Sequence, residues 1–251
     1  MAEREATSLD AILGGRLRLR QTRDGHRVGL DAILLAAAAG APVARLTDVG
    51  AGVGAVGLAL LQRWPEATGE LIEIDPSLAE LATENAALNG LATRTRVVVA
   101  DALDARSRRA AGLADEAADL VVTNPPYLAA DAARVSPDLR RARAHVAAGG
   151  SAALADWAIA CLALLAPGGR FVMIQRADAL PAVLPAFAGR LGDLALRPIH
   201  PRADAPAIRL LISGTKGTKA PLHILPGLTL HEADGSATPL AAAIQRGEAT
   251  L

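Results

Sequence analysis

Residues Asn124-Pro125-Pro126-Tyr127 follow the strand-like run Asp119-Leu120-Val121-Val122-Thr123 and could act on an NH2 group attached to a planar carbon. The lone pair of such a nitrogen is delocalised and must be pulled toward tetrahedral geometry before it can attack a methyl carried on a sulfonium. Acceptors placed on both N–H groups do this: the Asn124 side-chain oxygen and the Pro125 carbonyl. They also stabilise the positive charge that develops on nitrogen more than they stabilise the ground state. The two prolines fix φ and hold the Pro125 carbonyl in position. Tyr127, the only tyrosine in the chain, offers a flat face for stacking and a cation–π contribution. The bland alternative is an Asn-Pro-Pro turn with an aromatic plug.

A second constellation is Thr47-Asp48-Val49-Gly50-Ala51-Gly52-Val53-Gly54, where a strand turns into a helix. Glycines at alternate positions let the backbone turn tightly and approach a ligand. The spacing alone is ambiguous. Gly52 to Gly57 also satisfies the dinucleotide pattern, and Glu73 lies at a suitable distance to hold a ribose. Asp48 tilts the reading, because a carboxylate there repels a pyrophosphate and suits a ligand bearing an ammonium group. Glu73 and Asp101 follow the next two strands, at the sheet edge where open α/β folds bind ligands. Glu73 fits vicinal ribose hydroxyls and Asp101 an exocyclic amine. Asp75, just before Pro76, reads as a helix cap or solvated acid.

The elements that must position these residues alternate as βαβ units, which implies an α/β fold around a parallel sheet. Strands are expected at Leu46–Gly50, Glu70–Ile74, Val97–Ala100, Asp119–Thr123 and Arg170–Gln175, followed by a pair at Leu194–Ile199 and Ala207–Ser213. Helices are expected at Gly54–Arg63, Ser77–Leu88 with Ser77 as N-cap, Ser107–Leu113, Ser151–Leu165 ending at Pro167-Gly168-Gly169, and Ala179–Ala188. Residues 128–150 read as a loop or lid. The expected organisation is one compact unit: an N-terminal segment, residues 1–45, leading into a domain over residues 46–251.

At 251 residues, with 51% hydrophobic and 21% charged side chains, the composition is that of a globular chain with a substantial core. Lys plus Arg equal Asp plus Glu at 26 each, so a nucleic-acid partner would need locally concentrated positive charge. The single cysteine, Cys161, sits in an apolar run and reads as a core residue; no disulfide framework is possible. The five histidines show no metal-ligand spacing, and no metal is expected. The first residues are charged, and the apolar stretch Asp31–Ala44 is too short for a membrane span. The cytoplasm is the expected compartment.

Taken together, Asp48-x-Gly50-x-Gly52-x-Gly54, Glu73, Asp101 and Asn124-Pro125-Pro126-Tyr127 resemble the class I, Rossmann-like methyltransferases that modify amino nitrogens. The segment Gln21 to Ala36 is similar to the one preceding the glycine loop in bacterial tRNA1(Val) adenine-N6 methyltransferases. The resemblance covers roughly residues 10 to 215. It implies a mostly parallel seven-stranded sheet with a C-terminal antiparallel strand pair and helices on both faces. It also implies S-adenosylmethionine as cofactor, S-adenosylhomocysteine as product, and adenine-N6 methylation of tRNA. In that family the N-terminal segment lies over the cofactor pocket, which makes Asp31 a methionine-end contact.

The neutral balance departs from the basic face such an enzyme should present. Local candidates are Arg106, Arg108 and Arg109, and Arg134, Arg140, Arg141 and Arg143, with Lys216 and Lys219 as a further basic spot. Over residues 128–150 four arginines stand against Asp131 and Asp138, a formal +2. Arg140, Arg141 and Arg143 are the expected substrate contacts, gripping phosphates beside the target pocket. Aromatics make up only 2% of the chain, so recognition should rest on shape and backbone with one base drawn into the pocket. Methylation of a protein glutamine in release factors and guanine-N2 methylation of ribosomal RNA stay open, because the same four-residue motif serves them. A nicotinamide-binding oxidoreductase and a non-catalytic RNA-binding module are the readings from other classes.

Overall fold

The computed structural model describes residues 7–23, 27–125 and 151–251, with only the backbone at 151 and 152. The N-terminal segment opens with an antiparallel hairpin, β1 (Thr7–Ile12) and β2 (Leu17–Thr22), which the sequence reading did not anticipate. β2 points Leu17, Leu19 and Gln21 inward at its alternate positions. Helix α1 (Leu30–Ala37) follows and buries Leu34 and Leu35.

Next come β3 (Arg45–Val49), α2 (Ala55–Arg63), β4 (Thr68–Glu73), α3 (Pro76–Leu88), β5 (Thr95–Val99), α4 (Ala105–Ala110) and β6 (Ala118–Thr123). After residue 150 the chain forms α5 (Ser151–Leu164), β7 (Leu165–Arg176), α6 (Leu180–Phe187), β8 (Leu191–His200) and β9 (Arg209–Lys216). β3 to β7 pair in parallel, and β9 runs antiparallel between β7 and β8. Strands β3 to β9 are the seven-stranded sheet the resemblance implied, in the spatial order β8-β9-β7-β6-β3-β4-β5.

Two short strands, β10 (His223–Ile224) and β11 (Leu228–Thr229), add to the β8 side and make nine. A last helix, α7 (Pro239–Gln245), returns the chain to α1, where the Leu251 N–H donates to the Ala37 carbonyl at 3.0 Å.

The central strands bury both faces, so their side chains alternate between two cores. Leu46, Leu71, Leu120, Val122, Val172 and Ile174 face α1, α2 and α3. Val49, Ile72, Val121, Phe171 and Met173 face α5 and α6, where the Phe171 and Phe187 rings meet at 5.5 Å. Each fully buried Leu or Phe contributes about 1.5–3 kcal/mol. Cys161 is buried in the second core, and burial pushes its thiol well above the usual range. No described helix is long and apolar enough to cross a membrane.

Several boundaries shift by a few residues from expectation, and two of the differences have a clear local cause. Asp75, not Ser77, caps α3: its carboxylate accepts from the Ser77 N–H at 2.8 Å while Pro76 fills the first helical turn. β7 begins at Leu165, ahead of Pro167-Gly168-Gly169, because the ladder with β6 skips from Ala118–Leu165 to Leu120–Arg170 and carries the turn as an irregularity.

Candidate active site

The C-terminal ends of β3, β4, β5 and β6 converge on one edge of the sheet. The Gly50 and Ala51 N–H groups both donate to the Ile72 carbonyl, at 2.9 and 3.0 Å, which folds the glycine loop back over β4. Gly50, Gly52 and Gly54 all have positive φ. A Cβ at Gly54 would sit 2.9 Å from Leu71, and one at Gly50 would sit 3.0 Å from the Trp157 indole. At Gly52 nothing lies within 4 Å, so that glycine faces open space.

Three carboxylates stand at this edge, and two of them, Glu73 and Asp48, brace the loop and the start of α2. Glu73, 5% exposed, accepts the Gly52 N–H on Oε2 at 2.8 Å and the Ile74 and Asp75 N–H groups on Oε1, both at 2.9 Å. Burial raises its carboxyl above the usual range, against the pull of those three N–H groups. Asp48, 2% exposed, lies beneath α2 and accepts the Gly57 N–H at 2.8 Å. Burial pushes it up to about 7; the Gly57 bond opposes this and the Glu73 charge adds to it. Asp101 accepts the Leu103 N–H on Oδ1 at 2.9 Å, and its own N–H donates to Ser107 Oγ. Asp75 is the helix cap its position suggested.

Asn85 was not singled out from the sequence, yet it ties these parts together. It is fully buried; its Oδ1 accepts the Arg20 N–H and its Nδ2 donates to the Arg20 and Val53 carbonyls, at 2.6, 3.0 and 3.0 Å. The side-chain amide thus completes β2 and grips the middle of the glycine loop. Asn89 repeats the pattern one helical turn on, against Arg18.

Asn124 follows β6 beside this loop. Thr123 Oγ1 donates to the Val49 carbonyl at 2.8 Å and accepts from Trp157 Nε1 at 2.9 Å, locking the β6 end to the β3 end. Asn124 Oδ1 is buried and takes no hydrogen bond from the described residues. A buried acceptor left unpaired costs about 1–3 kcal/mol and calls for a donor. Pro125 is also buried. Asn124 lines a cavity of about 270 Å³ together with Asp31, Leu34, Ile199, Arg209 and Leu230. There Asp31 Oδ2 accepts from Arg209 Nε at 3.0 Å, so anything Asp31 gives a methionine ammonium it gives while bound to that arginine. A larger cavity of about 380 Å³ lies at the opposite sheet edge, around Arg45, Arg94 and Arg96, and none of Asp48, Gly50, Gly52, Gly54, Glu73, Asp101 and Asn124 lines it.

Pro126, Tyr127, Arg134, Arg140, Arg141, Arg143 and the expected loop lie outside the described residues. Of the other basic candidates, Arg106 and Arg109 are exposed. Arg108 is not available to a phosphate: it is 6% exposed and donates to the Ala102 carbonyl at 2.6 Å. Nor is Lys216 a flexible basic spot, since its ammonium bonds Glu116 and the Leu162 and Leu165 carbonyls. Among the described residues no group of three His, Cys, Asp or Glu side chains could hold a metal.

Residues 31–155 match the methyltransferase small domain, a span that takes in every described motif residue. A tRNA1(Val) (adenine(37)-N6)-methyltransferase of Porphyromonas gingivalis is 35% identical over 167 residues, 64% of this chain and 62% of that protein. A release factor glutamine methyltransferase of Cereibacter sphaeroides is 36% identical over 173 residues, 64% of this chain and 59% of that protein. The chain thus spans about three fifths of the length of these curated relatives. The crystal structure of protein Atu636 from Agrobacterium tumefaciens, described as a predicted O-methyltransferase, is 30% identical. It covers 88% of this chain and 98% of its own with a TM-score of 0.73. These matches separate the two readings that the glycine spacing left open, in favour of a methyltransferase loop over a nicotinamide one. The chain belongs to the methyltransferase small domain family, has the class I Rossmann-like fold, and counts among its relatives the tRNA1(Val) adenine-N6 methyltransferases that its motifs resemble.

Proposed function

We propose that this protein is an S-adenosylmethionine-dependent N-methyltransferase acting on adenine N6 in tRNA. The observation that carries the reading is the buried Asn124 Oδ1 beside the glycine loop, which has no hydrogen-bond partner among the described residues. An acceptor amino group is the donor that oxygen lacks.

The residues present fit the cofactor. Gly52 has open space on its side-chain face. An ionised carboxylate has about four acceptor sites; Glu73 uses three on backbone N–H groups, leaving one on Oε2 for a ribose hydroxyl. Asp101 Oδ2 takes no hydrogen bond from the described residues and suits an adenine amine. Asp48 and Asp31 supply negative charge toward the methionine end. S-adenosylmethionine, when bound here, supplies a methyl on a sulfonium and leaves as S-adenosylhomocysteine.

Asn124 Oδ1 and the Pro125 carbonyl take the two amino N–H groups and draw the lone pair out of conjugation. They then hold the nitrogen's growing positive charge, which favours the transition state over the ground state. The Thr123–Trp157–Val49 bonds keep Asn124 in place while this happens. Pro126 fixes the backbone and Tyr127 stacks on the base. No strong base is required, since the alkylated nitrogen is acidic enough for water to take its proton.

The segment 1–45 flanks the pocket through α1, and Arg140, Arg141 and Arg143 follow the motif as phosphate contacts. The site of action is the cytoplasm. A second reading is favoured by the release factor relative, because the same acceptor pair serves a glutamine carboxamide. Labelled methyl transfer to total tRNA and to protein, both from cells lacking this chain, separates the two. Label in N6-methyladenosine is expected. Label in protein alone supports the glutamine reading, and label in N2-methylguanosine would move the target to guanine.

A further inference from the structure

The cavity beside Asn124 holds a charged pair that no motif includes. Arg209, the first residue of β9, and Asp31, in the first turn of α1, line it together with Asn124. None of Gly50, Gly52, Glu73 and Asp101 lines it. Asn124 therefore stands at a boundary, with the glycine loop, Glu73 and Asp101 to one side and this cavity, which Asp31 also reaches, to the other. Its walls are aliphatic: Leu34 and Leu230 are buried and Ile199 is fully so. At about 270 Å³ it is smaller than sites for drug-sized ligands and suits one flat ring system.

Arg209 is held in a fixed plane. Its Nε donates to Asp31 Oδ2 at 3.0 Å and its Nη1 to the Ile208 carbonyl at 3.1 Å. Its side chain is 27% exposed and that of Asp31 21%, so the pair is sheltered but open to the cavity. A guanidinium only donates and cannot be switched off by losing its proton. The cavity thus carries an acceptor, Asn124 Oδ1, and a rigid donor, Arg209. An amino group flanked by a ring nitrogen presents the complementary order, a donor beside an acceptor.

We infer that Arg209, oriented by Asp31, is a specificity-determining residue for the acceptor, donating to a ring nitrogen that flanks the methylated amino group. This rests on the adenine reading of the site. Arg209 would act chiefly on the acceptor, since Asp31 is the one proposed cofactor contact among the described residues that line its cavity.

The test uses RNA carrying a single 1-deazaadenine or 7-deazaadenine at the position the wild type methylates, with wild type, Arg209→Gln and Arg209→Lys. Cofactor affinity and thermal melting are read alongside transfer. Loss of a hydrogen bond from a charged donor should lower kcat/KM of Arg209→Gln on natural RNA by roughly 10–100-fold. Cofactor affinity and melting should stay near wild type. Wild type should lose as much on one of the two deaza RNAs, and Arg209→Gln should lose nothing further on that RNA. Arg209→Lys should recover part of the activity.

Equal wild-type rates on all three RNAs would overturn the inference while leaving the adenine reading intact. So would deaza and Arg209→Gln losses that multiply, or a variant whose cofactor affinity and melting fall in step with its activity. Wild type that methylates no RNA would sink the adenine reading and this inference with it.

Discussion

Replacing Asp48 by Asn should stabilise the protein without cofactor at neutral pH, by an amount that the buried carboxyl sets. In an unfolded chain this carboxyl titrates near 3.8, and in the fold it rises to about 7. Between those values the fold holds a proton that the unfolded chain has lost. Ionising Asp48 therefore weakens the fold progressively as pH rises from about 4 to about 7. Above 7 both states are ionised and the penalty is constant. At 1.36 kcal/mol per unit the full effect is about 4 kcal/mol, and roughly 2 kcal/mol near pH 5.5. Asn keeps an oxygen for the Gly57 N–H, which Asp48 now bonds at 2.8 Å, so little is lost in exchange. Urea unfolding of both proteins from pH 4 to 8 isolates this group, since other titrations cancel in the difference. Asp48→Asn should match wild type at pH 4 and exceed it at pH 8. On the proposed reading the bound cofactor's positive charge offsets the same penalty. Wild-type cofactor affinity should then climb with pH, by up to about tenfold per unit, and level off above 7. That of Asp48→Asn should stay flat. A stability difference independent of pH would refute the reasoning, as would an identical affinity profile for the two proteins.

Glu73→Ala strips an acceptor from three backbone N–H groups and should weaken cofactor binding before it slows turnover at saturating cofactor; the reverse order in titration and steady-state assays would displace Glu73 from the ribose. Gly52→Ala meets no neighbour but has φ of 56°, so it should cost about 1–2 kcal/mol in melting and more than tenfold in cofactor affinity. Unchanged affinity there would mean the loop cradles something else. Asn85→Ala orphans groups on both β2 and the glycine loop and should destabilise by about 2–4 kcal/mol in urea unfolding. A loss under 1 kcal/mol would show the hairpin is held by packing alone.

Local patterns carried the parts of the fold that are locally encoded. Leu120-Val121-Val122 in β6 and Leu71-Ile72 in β4 are the short apolar runs of strands buried on both faces, and the glycines after Val49 mark the end of β3, so the glycine loop, Glu73 and Asn124 stand out in the chain. The α3 cap was misplaced at Ser77, although Pro76 belongs just inside a helix start and so points to Asp75 before it. What stayed hidden depends on distant partners. β2 alternates Leu17-Arg18-Leu19-Arg20 over too few residues to be distinctive, and its outer hydrogen bonds end on Asn85, 65 residues away from Arg20. Arg209 meets Asp31 across 178 residues. β10 and β11, two residues each, are too short to show any period. Counting arginines and lysines overstated the free positive charge, because the carbonyls that capture Arg108 and Lys216 leave no trace in composition.

Asn124→Ala puts the central claim to its most direct test. The native Oδ1 is buried and has no partner among the described residues, so its removal should leave melting unchanged or raise it. Cofactor affinity should stay within several-fold of wild type. Methyl transfer should fall by roughly 10²–10³-fold, the loss expected when one acceptor aimed at developing charge disappears. Transfer retained near the wild-type rate would contradict the account. So would cofactor affinity falling in step with turnover, which would place Asn124 in the cofactor site and leave its unpaired oxygen unexplained.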